Sequence, residues 1–288
     1  MGCIPLRELW EGFNPIGARE GVFVVFRGYM DESCDKDQNL FVLSCLIAIG
    51  KDWFEMERSW KLHLAAKNRQ LKREGRTLLS RYHATDCNGL HGEFTGWTPE
   101  EQIEFVKGLF GIFKRGGGVH AVGYDINLDD LCEVFPEWAG DRLEAAYYAL
   151  TKFVMFTIGE DFTRMGKDKP AKVTLFHDRT ANGKYDPTIL RAFNEQVLDA
   201  NFDFAHYFTT IAPLTWQDCI ALQPADLVAF EVFKDTQLRL EAKRRRKSFT
   251  ALLDLDEFGV HTRSFTKEIL VQMREQMRNR ELSFNLTR

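Results

Sequence analysis

The 288-residue sequence predicts an α/β fold, a mixed sheet flanked by helices, and three observations carry that expectation. Short runs rich in β-branched and aromatic residues recur along the chain at strand length, bounded by turn-forming residues. Longer stretches with apolar residues at helical spacing lie between them. Two of the short runs close on acids, so that charge stands where a buried strand emerges.

The first run extends from about Val22 to Asp31 and ends Met30-Asp31-Glu32-Ser33. A turn-rich segment follows, and Leu40 to Ile49 reads as the returning arm of a hairpin. Side chains alternate along a strand, so Asp31 and Glu32 are expected on opposite faces unless a bulge turns both the same way. Trp53, Met56, Trp60 and Leu64 recur at helical spacing and predict an amphipathic helix from Asp52 to about Asn68. Leu78 to Asp86 reads as an extended piece carrying His83 and Asp86. Thr98-Pro99-Glu100-Glu101 has the composition of a helix start, and Gly116-Gly117-Gly118 ends that helix. Val119 to Ile126 is the third expected strand, followed by helices at about 128–137 and 141–161. Lys172 to Asp178 is the fourth strand and ends in an acid; His177, preceding it, points the other way and reads as structural. Pro187 to Ala200 reads as helix, Phe204 to Ile211 as a fifth strand, and Pro224 to about Lys234 as a late helix.

Composition narrows the class. At 44% hydrophobic the chain can bury a large core. Its formal net charge of -4 conceals an asymmetry: residues 239–288 carry 12 Lys and Arg against 7 Asp and Glu, the remainder 26 against 35. An acidic body with a basic end fits an acid-lined site beside a phosphate-attracting surface, or an ordinary solvated tail. The six cysteines form no C-x-x-C pair, which argues against a disulfide framework or zinc ribbon and for a reducing, cytoplasmic setting. No apolar run is long enough to span a bilayer, and no membrane partner is expected. Phosphate-loop and dinucleotide-binding glycine patterns are absent from the sequence.

The acids carry the functional signal. Asp31 ends the first strand, Asp178 ends the fourth, and Asp226 lies near the start of the late helix, three residues after Gln223 and so able to share its face. Grouped carboxylates repel one another and tend to hold a proton or attract a cation. An all-oxygen donor set favours Mg²⁺ or Mn²⁺ over zinc, and such ions serve phosphoryl transfer.

In this order and spacing the motifs resemble those of domain-of-unknown-function family 3800, a group with a ribonuclease H-like fold. Asp31, Glu32 and Ser33 match its first motif, and His83 and Asp86 the second. Asp178, with Asn182 four residues on, matches the third; Gln223, Ala225, Asp226 and Leu227 match the fourth. The resemblance covers about Gly21 to Phe233. It departs from the family pattern at Cys34, at Pro224, and in the roughly 70 residues between strands two and three. It implies a ribonuclease H-like mixed sheet flanked by helices, with a helical insertion at about 52–115. An irregular lead-in (1–20) would precede it and a basic helical extension (237–288) follow it. It also implies a divalent-metal nuclease site. Asp31, Glu32, Asp178 and Asp226 would be metal ligands, His83 a proton-transfer group or else a hydrogen-bonding loop residue, and Asn182 and Gln223 contacts to the substrate or supports behind the metal ligands.

Lys243, Arg244, Arg245 and Arg246 open the strongest basic run and are candidate contacts to nucleic-acid phosphates, or else a solvated helix face. The tryptophans fit core packing, although an exposed Trp97 would be suited to stacking on a base. Expected activity is therefore metal-dependent cleavage of RNA or DNA. A non-catalytic nucleic-acid- or protein-binding module, or a small phosphoester hydrolase, remain the alternatives.

Overall fold

Strand β1 (Val24–Asp35) runs through the middle of a six-stranded sheet. The computed structural model describes residues 24–35, 39–115, 118–164, 171–254 and 259–275. The expected lead-in, 1–20, lies outside them. The other strands are β2 (Leu40–Ile49), β3 (His120–Asn127), β4 (Ala171–Asp178), β5 (Phe208–Leu214) and β6 (Gly259–Phe265), in the spatial order β5-β4-β1-β2-β3-β6. β1, β2 and β3 form an antiparallel meander, β4 and β5 add in parallel beyond β1, and β6 adds in parallel to β3. The sheet is therefore mixed, with only β2 running against the rest.

The helices are α1 (Gly50–Arg73), α2 (Ala84–Gly89), α3 (Pro99–Arg115), α4 (Leu128–Val134), α5 (Arg142–Arg164), α6 (Asp186–Leu198), α7 (Leu222–Leu240), α8 (Lys247–Leu253) and α9 (267–275). They divide into two layers because strand side chains alternate. Tyr29, Val42, Leu46 and Ala48 face one apolar cluster with Trp53 and Trp60 of α1, Phe113 of α3, Val228 of α7 and Phe249 of α8. Met30, Phe41, Leu43 and Cys45 face the other, with Leu131 of α4, Leu150 and Val154 of α5 and Ile189 of α6. β2 is thus buried on both sides, which is why Leu40 to Ile49 reads as a continuous apolar run. Each large aliphatic or aromatic residue so buried contributes about 1.5–3 kcal/mol.

Local signals set several boundaries. Thr98 Oγ1 accepts from Glu101 N (3.2 Å) while the Glu101 carboxylate accepts from Thr98 N (2.9 Å), a reciprocal cap at the start of α3. The Asn127 side chain accepts from Asp129 N and Asp130 N and opens α4.

Three expectations shift. The piece read as extended from Leu78 to Asp86 turns helical at Ala84, after the N-cap His83, so Asp86 lies on α2. The fifth strand starts at Phe208 rather than Phe204, because Ala205–Tyr207 forms a single tight 3-10 turn. Pro213 is tolerated in it because β5 is an edge strand. The segment after 237 is more than a helical extension: α7 runs to Leu240, α8 follows, and β6 joins the sheet before α9. β6, Gly-Val-His-Thr-Arg-Ser-Phe, has little apolar alternation because it too lies at an edge. Arg239 and Ser264 both bond to the buried Asp125 of β3, fastening that edge. Among the described residues no helix is long and apolar enough to cross a membrane. Cys45, Cys87 and Cys219 are buried thiols in no disulfide.

Candidate functional site

β1 and β4 are parallel neighbours with Tyr29 opposite Phe176 and Met30 opposite His177, so Asp31 and Asp178 emerge side by side at one end of the sheet. Alternation puts both on the Tyr29 face, the face covered by α7. Ser44, opposite Asp31 in β2, reaches α7 through a hydrogen bond to the Ala225 carbonyl (3.4 Å), and Asp226 is the next residue. The three aspartates therefore converge from two strands and one helix.

Their electrostatics record that convergence. Burial, then the charges of Asp226, Glu32 and Asp178, push the Asp31 carboxyl well above the usual carboxylate range. Its Oδ1 accepts a hydrogen bond from the Glu32 N–H (2.8 Å). Burial pushes Asp226 up to about 6, against the Ala84 N–H that it accepts at 2.8 Å and the nearby His83 and Arg81. Asp178 is raised by burial too, opposed by the Arg179 N–H (3.0 Å), Arg81 and His83.

Glu32 lies on the opposite face. The β1–β2 register is unbroken through Asp31–Ser44 and Glu32–Leu43, so no bulge brings the two acids round together. Its carboxylate accepts a hydrogen bond from the Tyr147 hydroxyl of α5. Burial nonetheless pushes it up to about 7, with Asp178 and Asp226 adding to the effect. Glu32 is thus at the same sheet end as the aspartates but on the α5 side.

The Arg81–Ala84 segment covers the aspartates. The Gln223 Oε1, buried at 4% exposure, accepts from both Trp60 Nε1 (3.0 Å) and Tyr82 N (2.9 Å). With the Ala84–Asp226 bond, this ties the segment to α7. Gln223 therefore stands as a tether between α1, α7 and the covering segment. His83 Nδ1 stands 2.9 Å from Asp86 Oδ2 without the alignment of a hydrogen bond, so the pair attracts chiefly when the imidazole is charged.

Other candidates lie apart. Asn182 is exposed, in a left-handed conformation (φ 56°) in the turn after β4. The run 243–246 is not a helix face but a connection between α7 and α8, largely engaged with acids: Lys243 with Glu241 (2.6 Å), Arg245 with Asp235 (2.9 Å) and Arg246 with Glu231 (3.5 Å), while Arg244 is exposed. Trp97 is buried against Phe94 and Phe105 rather than presented for stacking. His177 is buried with Nδ1 2.9 Å from the Asp178 carbonyl, a structural setting as expected.

Sequence reasoning missed two residues. Arg81 stacks 4.6 Å over the Trp216 ring, and its charge reaches both Asp178 and Asp226. Its one sequence signal is its place two residues before His83. Tyr147, which donates to Glu32, is one of five aromatics on α5 and is itself buried in the core, and nothing in the sequence marks it out.

Two findings bear on the chemistry. Among the described residues, no three His, Cys, Asp or Glu side chains are arranged to hold a metal ion. The donor set itself still suits a hard divalent cation: oxygen ligands only, desolvated and mutually repelling. A cavity of about 680 Å³ on the α5 face, between Trp138, Tyr148, Arg191 and Met273, includes none of the four acids. In comparisons with protein-family models, curated proteins and solved structures, nothing matches this chain.

Proposed function

We propose that this protein hydrolyses nucleic-acid phosphodiester bonds with the help of a divalent ion, Mg²⁺ or Mn²⁺, held by Asp31, Asp178 and Asp226. The observation that carries the reading is the convergence of these three acids at one sheet end, where burial and the charges of Asp226 and Asp178 raise the proton affinity of Asp31, and Asp178 adds to that of Asp226. A bound divalent ion would supply charge neutralisation for the scissile phosphate and an activated water. Two features support the ribonuclease H-like family reading: the β1–β2–β3 meander with β4 parallel to β1, and the acids at the ends of β1 and β4. We infer a cytoplasmic, reducing setting from the cysteines, which form no C-x-x-C pair and of which Cys45, Cys87 and Cys219 are buried free thiols.

The chain's own groups take distinct parts. The three aspartates hold the cation, and Glu32, oriented by Tyr147, adds negative charge from the other side of the sheet end. His83, held near Asp86, is placed to take or give a proton at the edge of the site. Arg81, fixed by Trp216, offers its guanidinium to a phosphate oxygen beside the acids. Lys243 and Arg244 stand farther off, where they attract a polynucleotide without reading its sequence.

The test is a cleavage panel of single-stranded RNA, RNA–DNA hybrid, and single- and double-stranded DNA with Mg²⁺ or Mn²⁺. Parent protein is run beside Asp31→Asn purified identically. Cleavage that chelator and Asp31→Asn both abolish is the expected result. Salt-sensitive binding without cleavage would instead support a binding module, and hydrolysis confined to small phosphoesters would support the third reading.

A further inference from the structure

A second cavity, about 510 Å³, lies on the α7 side directly behind the segment that covers Asp226. That volume is within the range of small-ligand sites. Its walls are largely apolar: Phe110 and the exposed Ile103 from α3, Phe230 from α7 and Ala251 from α8. One carboxylate stands inside it, Glu231, buried at 2% exposure, accepting from Ser248 Oγ at 2.7 Å and facing Arg246 at 3.5 Å. Lys107 and Lys247 are exposed at its rim.

Three connections join this cavity to the acid site. Phe230 is four residues beyond Asp226 on α7, one turn along the same face, or about 6 Å of rise. Ala84, which lines the cavity, donates its N–H to Asp226. Tyr82, which also lines it, is buried where both Asp226 and Glu231 act on its hydroxyl. A polymer with its phosphate at the aspartates would therefore have its next flat, apolar group at the cavity mouth.

We propose that this cavity receives a nucleobase of a single-stranded polynucleotide whose neighbouring phosphate lies at the acid cluster. The identification of the ligand as a base rests on the nuclease reading above. The residues fit the parts of a nucleotide separately. Phe110, Phe230 and Ile103 give apolar surface for the ring, as in sequence-tolerant stacking sites. Glu231 accepts from N–H groups on the base edge. Lys107 and Lys247 attract phosphate at the rim. A base spread into this cavity must be unpaired, so the inference commits to single strands over duplex.

The test measures binding of GMP, AMP, CMP and UMP, with ribose 5-phosphate as the base-free control, to the full-length protein in EDTA. Two variants at exposed wall positions are compared: Ala251→Trp, which fills the cavity, and Ile103→Glu, which sets a negative charge at its rim. Melting temperature verifies that each is folded. The nucleotides are expected to bind at least tenfold more tightly than ribose 5-phosphate, and each folded variant to weaken nucleotide binding at least tenfold. Equal binding of ribose 5-phosphate, unchanged nucleotide affinity in the folded variants, or no nucleotide binding by the parent would overturn the proposal. Because binding is read without metal, absent oligonucleotide cleavage would sink the nuclease reading alone. Cleavage without base-dependent binding would sink this one alone.

Discussion

Replacing Gln223 by Met tests whether this residue holds the site together or touches substrate. Met preserves length and shape but removes the amide oxygen. Two buried donors then lose their acceptor: the Trp60 indole N–H at 3.0 Å and the Tyr82 backbone N–H at 2.9 Å. Each unsatisfied buried donor costs about 1–3 kcal/mol, so the expected loss is about 2–6 kcal/mol. For a chain of this size, about 2 °C of melting temperature per kcal/mol gives a drop of about 4–12 °C. Amide exchange at Tyr82 and Ala84 should quicken with it, because both N–H groups belong to the covering segment and Ala84 is held by Asp226. Thermal and urea unfolding, with exchange read by mass spectrometry, supply the measurement. A variant melting within about 1 °C of the parent, with unchanged exchange, would refute the tether; a pure substrate contact would weaken binding and leave stability alone.

Further outcomes follow from the same geometry. Glu32 is raised to about 7 in the folded chain, so its stabilising contribution is complete below its unfolded value near 4.5 and is lost as pH rises through 7. In chelator, Glu32→Gln should therefore gain stability relative to the parent between pH 5 and 8. Taking the difference cancels the opposite trend of the buried histidines His63, His120 and His177, and a flat difference would contradict the assignment. Tyr147→Phe removes the hydroxyl that donates to Glu32 and should cost about 1.5–3 kcal/mol at pH 8, where Glu32 is charged, and less at pH 5; equal cost at both would deny the bond. Arg239→Met removes a half-exposed cation from the buried Asp125, which keeps its bonds from Thr236 and Ser264, and should destabilise by about 1–3 kcal/mol, with fastest amide exchange in β6; uniform exchange would deny that Arg239 fastens that edge.

The central strands were legible because β2 is buried and apolar along its length, while β1 and β4 carry runs of β-branched and aromatic residues that reach acids, which stand out. Parallel pairing of β1 with β4 then brings Asp31 and Asp178 together, and the alternation argument for Asp31 and Glu32 matches the unbroken register. Long-range pairing was not legible. Gln223 carries a motif signal, but that its oxygen serves Trp60 and Tyr82 depends on residues more than 140 positions away. Arg81 gains its place from Trp216 and from neighbouring backbone bonds, none of which leaves a local pattern. β6 escaped because edge strands need no apolar alternation, and the basic run suggested helix because its charges look solvated, whereas three of its side chains pair with acids.

The account stands most directly on whether the three aspartates take up a cation. Manganese binding at pH 7.5, followed by the paramagnetic resonance signal of the free ion, compares the parent with Asp31→Asn and Asp226→Asn. The expected result is uptake by the parent and at least tenfold weaker binding by each variant. Equal uptake by all three proteins, or none by the parent, would contradict it.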